Sequence, residues 1–176
     1  MIAGMPEWIP SESSSKGRLV LRALDAFSTD AFDDVNVVAL CAEADVTTGT
    51  LYHHFGTKLG LYEVVRLEVE RRTADRIAGA LAARADDPPT VAVRAALLVA
   101  FDYVVDAGRV RLMGAPVPPG RDDALESAVR SVLDPQPAVA KVWLAAWRAA
   151  LMCTLDGFSA DDARSALARL RLDDDS

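Results

Sequence analysis

Apolar residues recur at helical spacing along most of the chain. Over residues 16–29, Leu19, Val20, Ala23, Leu24 and Phe27 line one face of a predicted first helix. Residues 30–34 are a polar break. Asn36 is a favourable N-cap for a short helix over 37–44, Asp45-Val46 reads as a tight turn, and Thr47 caps a third helix reaching about residue 55. Gly56 interrupts the pattern. Thr57 then caps a long helix over 58–85, which Asp86-Asp87-Pro88-Pro89 stops.

Residues 91–106 are almost wholly apolar (Leu97, Leu98, Phe101, Val104 and Val105), which predicts a central, buried helix. Residues 109–120 carry three prolines and two glycines around Leu112-Met113, so one helical turn and a loop are expected. A short helix follows over 122–133. Asp134 as N-cap with Pro135 at the first helical position opens the next helix, which runs to about residue 155. Ser159 and Asp162 form a capping-box pattern for a final helix to about 172, ahead of a solvated Asp173-Asp174-Asp175-Ser176 tail. No strand pattern or internal repeat interrupts this series, so the expected fold is all-α with nine helices.

Composition narrows the class. Hydrophobic residues make up 51% and charged residues 26%, an ordinary globular balance. No uninterrupted apolar run approaches the roughly 18 residues of a membrane span. Residues 1–10 lack the basic and apolar regions of a signal peptide, so a cytoplasmic location away from membranes is expected. Cys41 and Cys153 each sit in an apolar helical pattern, as buried small hydrophobes do, and no metal or cofactor site is expected. The formal net charge is −7, and residues 1–62 hold four basic side chains (Lys16, Arg18, Arg22, Lys58) against eight acidic ones. The overall charge therefore opposes nucleic-acid binding, and any such function must rest on where the charges sit.

The block 37–58 carries the sharpest signal. A helix of about eight residues, a turn and a second helix opening with Thr is helix-turn-helix spacing. Such a unit presents the N-terminus of its second helix to the major groove, where free backbone N–H groups and the helix dipole favour phosphate. Thr47-Thr48-Gly49-Thr50-Leu51-Tyr52-His53-His54-Phe55, followed by Thr57-Lys58, resembles the signature of the TetR family of regulators. Phe27, Phe32, Val37, Leu40, Ala44 and Val46 sit where that family places its small core, and the resemblance covers residues 19–61. Leu112-Met113-Gly114-Ala115-Pro116 resembles a stretch of some TetR effector domains.

The resemblance implies a flexible arm over 1–15, a three-helix helix-turn-helix DNA-binding domain over 16–62, and a helical effector-binding and dimerisation domain over 63–176. It implies a homodimer on a palindromic double-stranded operator, and a repressor released by a small effector. Thr47 would cap the recognition helix and approach phosphate, while Thr48, Gly49 and His53 would face the groove. Tyr52 and Lys58 would contact the backbone of the DNA, and Lys16, Arg18 and Arg22 would reach flanking phosphates. The sequence departs from the family pattern at Asp45 and Ala31, where Gly is usual, and at Val38, where Arg or Lys is frequent. Its recognition helix has no Arg or Lys. Asp tolerates left-handed backbone, so the turn survives. These changes lower expected DNA affinity without altering the fold.

In the second domain Trp143, Trp147 and Leu151 form a stripe one turn apart, the mark of a core or an interface. A mostly apolar effector pocket is expected among Phe101, Tyr103, Met113, Trp143, Trp147, Arg148 and Met152, with Tyr103 and Arg148 as its polar contacts. His53 and His54 point about 100° apart on a helix and do not make a metal site. Two other classes are weighed: a helical dimeric interaction protein with weak or lost DNA binding, and an enzyme. No Ser-His-Asp or Cys-His arrangement, phosphate loop or metal cluster supports the enzyme.

Overall fold

The computed structural model describes residues 13–117, 121–133 and 137–171. Among them it contains nine helices and no strand. Residues 1–12 of the expected arm, the Asp134-Pro135 cap and the tail from 172 lie outside the described residues. The chain divides into two compact units, with the division between Leu67 and Glu68.

The first unit holds α1 (Ser15–Thr29), α2 (Val37–Glu43), α3 (Thr48–Phe55) and the opening of α4 (Lys58–Ala82). Each start is fixed locally. Ser14 Oγ accepts from Gly17 N–H, Asn36 Oδ1 accepts from Val38 and Ala39 N–H, and Thr47 Oγ1 accepts from Thr50 N–H. These caps satisfy donors that the first helical turn leaves unpaired. Leu19, Val20, Ala23, Leu24 and Phe27 are buried on α1, as their spacing predicts, and Leu40, Cys41, Leu51 and Leu61 are buried on the other helices of the unit. Phe27 stacks on Phe32, and the Tyr62 ring meets both edge-on at 5.1 and 5.2 Å, geometry that aromatic pairs favour.

The second unit holds the rest of α4, then α5 (Pro89–Asp106), α6 (Val110–Gly114), α7 (Ala124–Arg130), α8 (Pro137–Leu155) and α9 (Ala160–Arg169). α5 begins at Pro89, where a missing N–H is harmless. It is not buried all round: Ala92, Val93, Ala96, Leu97, Ala100, Phe101 and Val104 face the core, while Val99 is exposed. α7 is shorter than the predicted 122–133 because Asp123 caps it through Leu125 and Glu126 N–H. α8 is long and apolar enough by composition to cross a membrane, yet it is the core helix of this unit, burying Trp143, Leu144, Trp147 and Leu151.

Three contacts fasten the elements of this unit. Trp147 Nε1–H donates to the Leu97 carbonyl at 3.0 Å, joining α8 to α5. Arg164 makes a two-pronged pair with Asp102 at 2.7 and 2.9 Å, joining α9 to α5. Gly114 lets α6 lie against α8, since a Cβ there would come within 2.8 Å of Met152 Sδ. On α4, burial opposes ionisation of Glu68, but hydrogen bonds from Arg71 and Arg72 prevail and hold its carboxyl below the usual range.

Candidate functional site

α3 has one inward and one outward face. Leu51 is completely buried and Phe55 half-buried, so they hold the helix to the unit. Thr47, Gly49, Tyr52, His53 and His54 are exposed and Thr48 is half-buried, which gathers the five sequence-predicted α3 residues at the N-terminal and outer side. A glycine inside a helix costs roughly 1 kcal/mol relative to Ala. Nothing internal requires one at position 49, because a Cβ would find only Thr47 Oγ1 at an ordinary 3.6 Å. Gly49 therefore answers no packing need inside this unit. The His53 and His54 rings lie 5.2 Å apart at 64°.

The turn before α3 uses Asp45 at φ 52, the left-handed conformation that its side chain tolerates better than most. It is held from across the unit. Arg18 Nε donates to the Ala44 carbonyl at 2.8 Å, and an Arg18 terminal nitrogen donates to the Asp45 carbonyl at 3.1 Å. Arg18 is thus a clamp on the turn. Arg18→Ala is expected to lower stability by about 1–2 kcal/mol in denaturant unfolding, the loss of hydrogen bonds from a charged donor. An unchanged midpoint with a weakened salt dependence of DNA binding would instead make Arg18 a phosphate ligand.

Lys58 is half-buried, with Nζ donating to the Asp33 carbonyl at 3.3 Å and lying 4.7 Å from the centre of the Phe32 ring. Lys16 and Arg22 are exposed on α1. Gly60 is a residue that the sequence reading passes over. A Cβ there would run into the Phe55 carbonyl, so glycine lets the opening of α4 approach the end of α3. Its signal in the sequence is a glycine in the first turn of a strongly predicted helix. Cys41 is buried, and burial pushes its thiol pKa up, which disfavours the thiolate that nucleophilic or metal chemistry needs. Among the described residues no group of three or more His, Cys, Asp or Glu could hold a metal ion.

The seven residues expected to line an effector pocket do not meet in one cavity. Phe101, Met113, Trp143 and Trp147 are core residues of the second unit, each no more than 1% exposed. Tyr103 is half-buried under the Arg76 guanidinium, and Met152 lies on the surface. Arg148 alone of the seven lines a cleft, of about 710 Å³, between α6, α7 and α8. Gly114, Pro116, Val117, Leu144 and Ala145 form its apolar part. Arg121, Asp123, Glu126, Arg130 and Lys141 make the rest strongly charged.

Residues 19–65 match the family model of bacterial regulatory proteins of the tetR family. The chain is 31% identical over 62 residues to the HTH-type transcriptional regulator UidR of Escherichia coli K12, and equally to UidR of Shigella flexneri. That match takes in 35% of this chain and spans 32% of the length of those relatives. The fold is shared more widely. A protein from Shewanella sp. PV-4, described as a tetR family transcription regulator, aligns with a TM-score of 0.63 at 20% identity, over 88% of this chain and 94% of that one. A TetR-like transcriptional regulator from Rhodococcus sp. RHA1 aligns with a TM-score of 0.58 at 18% identity, over 94% of each chain. The sequence match is thus centred on the helix-turn-helix unit, which resembles that of the tetR family, and the all-helical fold of most of the chain is shared with these solved structures.

Proposed function

We propose that the chain is a DNA-binding transcriptional regulator in the cytoplasm, not an enzyme, that acts as a homodimer on a palindromic operator and is released when a small molecule binds its second unit. The observation that carries this reading is the outward face of α3, where Thr47, Thr48, Gly49, Tyr52 and His53 share a surface while Leu51 anchors the helix from behind. Two such helices would enter successive major grooves, about 34–36 Å apart. UidR, matched over the same region, is by name an HTH-type transcriptional regulator. α4 begins with Lys58 beside the reader and continues into the second unit as far as Ala82. An effector that displaces it would couple the two sites, and the coupling must be reciprocal.

The dimer seam in this reading is the outer side of α8. Ala138, Val142, Ala149 and Met152 are exposed there, with exposed Leu155 and Phe158 beyond them. This apolar stripe is what a self-complementary interface would bury.

Gel retardation with the DNA flanking the chain's own coding region tests the reading. Tyr52→Phe removes one phosphate hydrogen bond and is expected to weaken all bound sequences by about fivefold, whereas His53→Ala should change which bases are preferred. If both variants bind like the parent, the α3 face is not the reader. A second reading, a helical interaction protein with weak or lost DNA binding, is favoured by the acidic balance of residues 1–62 and by the engagement of Arg18 and Lys58 with backbone carbonyls. Absence of retardation on any fragment at low salt would establish it.

A further inference from the structure

We propose that the cleft between α6, α7 and α8 takes an organic anion, an apolar body carrying a carboxylate, and that the buried Glu70 carboxylate competes with it for Arg121. The inference rests on the reading of the second unit as the effector-binding unit and names the class of its ligand.

The cleft's size suits a small molecule, since such sites span roughly 300–1,000 Å³. Its lining brings four cationic side chains together: Arg121, Arg130, Lys141 and Arg148. The carboxylates among them are unevenly available. Asp123 is fully used, with Oδ1 capping α7 and Oδ2 accepting from Arg148 at 2.8 Å. Glu126 reaches Arg130 only at 3.9 Å. Asp122 is exposed at the rim. The floor from Gly114, Val117 and Leu144 supplies apolar contact for the body of the ligand.

Both inner arginines are held in an incomplete way. Arg121 meets Glu70 through a terminal nitrogen, and Arg148 meets Asp123 through a terminal nitrogen. In each, Nε–H is buried with no hydrogen-bond partner among the described residues. A guanidinium is a planar fork that binds carboxylates best through two parallel N–H groups, and an unmade buried hydrogen bond is costly. A ligand carboxylate arriving in the cleft would offer Arg121 the two-pronged contact that it lacks. Glu70 on α4 is only 1% exposed, so drawing Arg121 away from it weakens the pairing of a buried charge. Ligand and Glu70 therefore draw on the same cation, and occupancy of the cleft bears directly on α4.

Isothermal titration of the full chain with benzoate and with its neutral isostere benzamide tests this without DNA. Benzoate is expected to bind at least about tenfold tighter than benzamide. Arg130→Ala and Lys141→Ala, both at exposed positions, should each weaken benzoate several-fold and leave benzamide and the melting temperature unchanged. Glu70→Gln, which keeps the side chain's shape but frees Arg121, should tighten benzoate binding. A purely structural Glu70 would not do so. Equal binding of the two probes, binding of neither, or a Glu70→Gln protein with unaltered or weaker benzoate affinity overturns the proposal. If Glu70→Gln fails to fold, the Arg130 and Lys141 variants decide alone. A chain that binds benzoate selectively yet never retards DNA defeats the regulator reading alone. One that retards DNA yet does not prefer benzoate defeats the anion site alone.

Discussion

Glutamate placed at Val142 and Ala149 together is expected to give a folded monomer with little affinity for DNA. Both residues lie on the outer stripe of α8 and are exposed within the chain, Val142 at 50%, so neither change disturbs the core. In a symmetric dimer each substitution appears on both sides of the seam, and four added carboxylates would face one another or an apolar surface. Desolvating such charges without partners costs far more than small apolar contacts return. Loss of the dimer also removes the second half-site contact, whose linkage strengthens binding by roughly 10²–10⁴. Sedimentation equilibrium should therefore show a monomer with a parent-like helical spectrum, and retardation should weaken by about a hundredfold or more. A variant that stays dimeric would move the seam elsewhere. A monomer that binds DNA as tightly as the parent would undo recognition through two half-sites.

The helix-turn-helix unit was legible because its determinants are local. Ser, Thr and Asn caps act within three residues of themselves, and apolar spacing marks the buried face of each helix, so α1, α2 and α3 follow the predicted ranges closely. Asp45 in the left-handed region was legible for the same reason. What escaped the sequence are pairings between distant residues. Arg18 reaches Ala44 across 26 positions, Trp147 reaches Leu97 across 50, and Arg121 reaches Glu70 across 51. Periodicity says which face of a helix turns inward but not which residue of another helix meets it.

The expected effector site shows that limit most plainly. Weighed along α5, α6 and α8, the faces carry few ionisable groups, which points to an apolar ligand. The fold instead sends Phe101, Met113, Trp143 and Trp147 into the core and opens the cleft where α7 and residues 121–123 bring in their own charges. α5 misled in the same direction: its nearly unbroken apolar sequence predicts burial all round, yet Val99 is 45% exposed.

The two tryptophans of α8 are expected to respond differently to the same substitution. Trp147 is fully buried and its indole N–H is satisfied by the Leu97 carbonyl. Trp143 is 1% exposed, and its indole N–H is buried with no hydrogen-bond partner among the described residues. Truncating Trp147 to Ala removes a large buried ring and should cost about 3–5 kcal/mol. The informative comparison is with Phe, which keeps an aromatic ring but has no donor. Trp147→Phe loses packing volume and also a net hydrogen bond, worth about 1 kcal/mol. Trp143→Phe loses similar volume but relieves an unsatisfied buried donor, a gain of about 1–3 kcal/mol that offsets the cavity. Denaturant unfolding should therefore rank the parent and Trp143→Phe close together, with Trp147→Phe clearly lower and Trp147→Ala lowest. Equal losses for the two Phe variants would mean that the Trp147 hydrogen bond to α5 contributes nothing to holding the second unit together.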